Sequence, residues 1–115
     1  MKRVVIALVG LVFLSGSVAL AQDAAKIAAG KKAFADKKCS TCHAVAGQGG
    51  KTGSALDKVG TKLSADDIKK WLTDTATMEA KVTPKPKVSM AGFMKSAKLT
   101  DADVDALVAY MQSLK

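Results

Sequence analysis

Cys39-Ser40-Thr41-Cys42-His43 limits this chain more than any other stretch, because it holds both cysteines and the only histidine of 115 residues. Few chemistries suit those five positions. A closed zinc site needs four ligands, whereas two thiols and one imidazole make three, with no second cluster nearby. A thioredoxin-type dithiol expects strands in a βαβ setting. A disulfide across two intervening residues closes a small strained ring and stabilises little. The spacing is that of C-x-x-C-H, the attachment sequence of a c-type haem. Cys39 and Cys42 would reach the two vinyl groups of one porphyrin as thioethers, and His43 would direct its imidazole at the iron.

The composition asks for such a group. With 49% hydrophobic and 24% charged residues, the chain is neither disordered nor fibrous. It has the length of one small domain. Yet it contains one Trp, one Tyr and three Phe, so large core anchors are few. Two cysteines cannot build a disulfide framework either. A covalently held haem would complete the core. The formal charge of +8 raises the question of nucleic acid, but Arg is absent after Arg3 and no aromatics interleave with the lysines. An acidic protein partner suits that surface better than nucleic acid does.

The N-terminus reads as a targeting segment. Lys2 and Arg3 precede an apolar run from Val4 to Leu14, and Ala19-Leu20-Ala21 has the A-x-A form of a signal-peptidase site. The run is short against the roughly 20 apolar residues of a spanning helix. Residues 1–21 are therefore expected to be a cleavable signal peptide, with no stable membrane insertion afterwards, and 22–115 the exported domain.

Three segments of that domain carry helical periodicity. Ile27, Gly30 and Phe34 set the first, between about Asp23 and Lys38. Ser64-Ala65-Asp66-Asp67 opens the second with an N-cap and first-turn acids, and Ile68, Trp71 and Leu72 line its apolar face. Thr100-Asp101-Ala102-Asp103 opens the third, whose stripe is Val104, Leu107, Val108 and Met111. Between them, the glycines of Gly47 to Gly60 and the stretch Thr73 to Leu99, with Pro84 and Pro86, read as loop. Long irregular segments need something to wrap. The expected class is all-α, about three main helices with long loops around one covalently attached haem.

With C-x-x-C-H preceded by Gly30-x-x-x-Phe34 and followed late in the chain by Leu107-Val108-Ala109-Tyr110, the sequence resembles the small bacterial monohaem class I cytochromes c. The resemblance covers nearly all of 22–115. It implies the cytochrome c fold, with its first and last helices crossing where Gly30 lets the backbones approach among Phe34, Leu107 and Tyr110. It implies a sixth ligand, a Met sulfur on the haem face opposite the His. Met111 sits on the core stripe and Met78 before the proline bend. Met90-Ala91-Gly92-Phe93 is similar to the family's M-P-x-F with Ala for Pro, so Met90 is the expected ligand and Met94 the alternative. Gly53-Ser54-Ala55-Leu56 stands where the family has G-P-x-L, so the backbone carbonyl of Ser54 is expected to accept from His43. Trp71 falls where the family packs an aromatic on the haem.

What the resemblance implies about function is a soluble, periplasmic, monomeric single-electron carrier with redox protein partners bearing acidic docking surfaces. No nucleophile, base or paired-carboxylate constellation is visible, so an enzyme is not expected. The rival within haem chemistry is a protein with an open or labile sixth position, acting as gas sensor or peroxidase. Five lysines between Lys81 and Lys98, with no acidic residue among them, and Lys37 and Lys38 beside Cys39, are expected to form a positive rim for an acidic partner.

Overall fold

The computed structural model describes residues 16–115, with side chains from Asp23 onward. The n-region and the whole apolar run of the expected signal peptide, Val4 to Leu14, lie outside the described residues. Helix α1 spans Gly16–Asp36 and so runs through Ala19-Leu20-Ala21 into the domain. It starts earlier than its periodicity predicts, because Ala19, Ala21, Ala24 and Ala25 are strong helix formers with no breaker among them.

α1 packs chiefly against the last helix, α6 (Asp101–Ser113), and this crossing is the centre of the core. At Gly30 an added Cβ would lie 2.0 Å from Ala106 O and 2.6 Å from Tyr110 Cβ. Only a residue without a side chain lets the two backbones meet there. Phe34 and Tyr110 close the crossing edge to face, with ring centroids 5.8 Å apart at 68°. Leu107 beneath them is fully buried. The α6 start is a capping box: Asp103 N donates to Thr100 Oγ1 at 3.1 Å and Thr100 N to Asp103 Oδ2 at 3.0 Å. Those bonds to Thr100 hold the Asp103 carboxyl below the usual carboxylate range, and Lys37 at 3.6 Å adds to this.

Two short helices precede the middle of the fold. α2 (Val59–Lys62) rests on α6, with Gly60 N donating to Leu114 O and Gln112 Nε2 to Leu63 O. α3 (Ala65–Thr73) begins at Ser64, whose hydroxyl accepts from Asp67 N as expected. Its Ile68 and Leu72 are buried against α6, and Trp71 faces sideways, half-buried. Thr75 Oγ1 donates to Trp71 O at 2.7 Å, fixing the break at which α4 (Thr75–Lys81) turns away.

The class is all-α, as expected, with one small departure: β1 (Ala44–Val45) pairs antiparallel with β2 (Gln48–Gly49) through a two-residue turn. The stretch from Thr73 to Leu99 is not all loop, because α4 and α5 (Met90–Ala97) lie within it. α4 has only Met78 as a large apolar side chain, so no stripe announces it. α5 does carry a stripe, Met90, Phe93, Met94 and Ala97, at helical spacing. Its first turn is completed by a residue far away in sequence, as described below.

Candidate functional site

The motif follows directly on α1. Lys38 takes a left-handed conformation (φ 59°) that ends the helix, and Cys39–Thr41 form a 3-10 turn. Cys42 N and His43 N both donate to Cys39 O, at 3.2 and 3.0 Å, so the two thiols and the imidazole project from one tight turn. The β1–β2 turn then sends the chain back along the motif. Gly50 N donates to Ser40 O, Gly53 N to Cys42 O and Leu56 N to Ala44 O, all within 2.9 Å. Asp57 Oδ1 accepts from Ala46 N at 2.6 Å, and Leu56 is buried in the core as an anchor.

That docking brings Ser54 O within 2.7 Å of His43 Nδ1. A carbonyl only accepts, so Nδ1 carries the proton and Nε2 keeps its lone pair for a metal. Gly53 is the reason the loop comes so close. A Cβ there would lie 2.7 Å from His43 Cε1 and 2.9 Å from Nδ1.

Beside this turn lies a cavity of about 470 Å³ that brings together every site residue expected from the sequence: Cys39, Cys42 and His43 from the motif, Ser54, Trp71 from α3, and Met90 and Met94 from α5. Met78 and Met111 do not line it; Met111 is core. Sequence reasoning missed part of the wall. Val82, Pro84, Pro86 and Val88 line the cavity from the segment between α4 and α5, Phe93 lines it from α5, and Glu79 reaches it from α4. The helical spacing of Phe93 with Met90 and Met94 was the available signal for α5. The proline segment carried none beyond its apolar alternation with lysine.

The donor set suits a haem. Among the described residues no three His, Cys, Asp or Glu side chains gather as a metal cluster. What converges instead is two thiols, one oriented imidazole and two thioethers around an apolar hollow. Burial pushes the Cys39 thiol up, and nearby Cys42 acts in the same direction. A catalytic dithiol shows the opposite shift.

The helical fold and this donor set define a small all-α protein with a covalently attached haem. The family model for cytochrome c matches residues 27–115, and the chain belongs to the cytochrome c family. Neither the curated proteins nor the solved structures contain a match to it. Membership brings a c-type haem with its iron, for which Cys39 and Cys42 have the attachment spacing, and with it haem-based electron transfer between redox protein partners. Members are in general electron carriers rather than enzymes. Among the described residues no helix is long and apolar enough to cross a membrane.

Proposed function

We propose that this chain is a soluble, monomeric, single-electron carrier of the bacterial periplasmic class I type, exported by residues 1–21, with thioethers at Cys39 and Cys42 and iron held by His43 and Met90. The observation that carries the reading is the meeting of both thiols, an Nδ1-anchored imidazole and a methionine-bearing helix around one apolar cavity. When bound, the haem supplies a one-electron change between ferrous and ferric iron. The protein's share is positional. Ser54 O holds the His43 ring plane and raises its donor strength. Trp71 offers a flat apolar wall, and Val82, Pro84, Pro86 and Val88 add apolar surface around the cavity.

Met90 and Met94 stand four residues apart on one face of α5, so both reach the cavity and substitution must separate them. In the ferric protein a weak red sulfur-to-iron band is expected. Met90→Ala should abolish it and let carbon monoxide bind the ferrous form, whereas Met94→Ala should lower stability and keep the band. The reverse pattern would make Met94 the ligand. A high-spin wild-type spectrum with ready carbon monoxide binding would instead assign the chain to open-site chemistry, sensor or peroxidase.

Four of the lysines expected at the rim divide into two pairs. Lys85 Nζ donates to Glu79 O at 3.2 Å and to Ala80 O, closing the end of α4, and Lys37 pairs with Asp103. These two serve the fold. Lys38 borders the cavity, and exposed Lys87 sits between Pro86 and Val88, both of which line it. A positive rim here steers an acidic partner and orients the cavity mouth toward it, within a screening length of about 8 Å at physiological salt. Electron-transfer rates with an acidic partner should fall steeply as salt rises, and Lys38→Glu with Lys87→Glu should flatten that slope. If the slope survives both reversals, the docking surface lies elsewhere.

A further inference from the structure

The first N–H groups of any helix lack partners within it and need them from outside. Ser89, which precedes α5, gives its side chain to no N–H of that helix. The acceptor comes from α4 instead. Glu79 Oε1 accepts from Met90 N and, at 3.1 Å, from Ala91 N, while Oε2 accepts from Ser89 Oγ at 2.9 Å. One carboxylate thus collects three donors from three consecutive residues, and its negative charge meets the positive end of the α5 dipole.

The same residue is fastened from its other side. Lys85 Nζ donates to the Glu79 carbonyl, so both the main chain and the side chain of Glu79 tie down the cavity-lining segment that leads to α5. Among the described residues, no backbone–backbone hydrogen bond outside the helices and strands holds any residue from Thr83 to Ser89. The entry of α5 therefore depends on this carboxylate more than on its own loop.

We propose that Glu79 is the positioning residue for the sixth iron ligand: its carboxylate grips the backbone of Met90 and so holds that methionine's sulfur at the metal. This rests on the assignment of Met90 above. The iron bond to a thioether is weak enough to exchange, and what opposes exchange is the cost of moving the helix start that bears it. Without the clamp, α5 still packs on the core through Met94, but its first residue loses the carboxylate that accepts from its N–H.

The test uses the full holoprotein and four variants: Glu79→Ala, Glu79→Gln, Met90→Ala and Thr100→Ala. Thr100→Ala removes a cap of α6 away from the cavity and reports general loosening. Glu79→Ala should bind carbon monoxide in the ferrous state faster by about tenfold, because the ligand-free minor state is more populated, and its sulfur-to-iron band should vanish at a lower temperature than in wild type. Glu79→Gln keeps an acceptor oxygen and should lie between. The proposal is overturned if Glu79→Ala matches wild type in both readouts while Met90→Ala loses the band. It is also overturned if Thr100→Ala speeds carbon monoxide binding as much. Retention of the band in Met90→Ala identifies the other failure, that of the ligand assignment, and removes the clamp's role with it.

Discussion

Replacing Cys39 and Cys42 together with Ala should leave a chain that is largely unfolded by far-ultraviolet circular dichroism. Among the described residues only Ile68 and Leu107 of the large side chains are fully buried, and both lie in the α1–α3–α6 layer. The motif turn, the segment from Val82 to Val88 and α5 face instead a cavity of about 470 Å³. At roughly 24 cal/mol per Å³, an empty hollow of that size has an upper-bound cost on the order of 10 kcal/mol, similar to the whole stability of a small domain. Water entering through the open mouth reduces the cost but leaves the apolar lining wet, so the balance still fails. The wild-type holoprotein should unfold cooperatively at a much higher temperature. A cooperative, helical apo form of the double variant would mean that the α1–α6 layer is a sufficient core by itself.

Gly30→Ala should have the second-largest effect and the opposite sign to helix propensity. In an exposed helix interior that exchange stabilises by about 1 kcal/mol. Here the new methyl meets a carbonyl oxygen of α6 at 2.0 Å, and backbone cannot swing aside as a side chain can. The helices must separate along their whole crossing, which unseats Phe34 from Tyr110. Overpacking of this kind costs about 3 kcal/mol, which for a domain this size lowers the melting midpoint by about 12–24 °C. Thermal unfolding followed at 222 nm checks it. An unchanged midpoint would mean the crossing has slack that its geometry conceals.

The parts of the fold legible in the sequence are those with local causes. Ser64 and Thr100 announce α3 and α6 because the cap and the acid that completes it stand within four residues. Gly30 with Phe34 marks the crossing because close approach and an aromatic wedge leave a spaced pattern in one helix. The proline segment reads as loop because its order has distant causes, and α5, whose Met90, Phe93, Met94 and Ala97 do repeat at helical spacing, has a start that nothing local marks. Glu79 lies 11 residues before Met90, and no local pattern links a carboxylate to a helix start across two prolines. Lys85 looked like surface charge for the same reason, since its carbonyl partners are visible only once α4 exists. The choice between Met90 and Met94 stayed open because helical geometry gives both the same face.

The partner of the His43 ring is main chain, and this has a bearing on how the protein tolerates change. No substitution at position 54 deletes a carbonyl, so a sequence can drift there freely while the imidazole keeps its anchor. The hidden constraint moves one residue upstream. Any side chain at position 53 collides with the ring itself, 2.7 Å from Cε1. In a library of variants selected for correct spectra, position 54 should therefore accept almost any residue, while position 53 should return glycine alone, although residue 53 never exchanges a hydrogen bond with the imidazole. Mutational sensitivity at this site follows the space around the ring and not the bond that orients it.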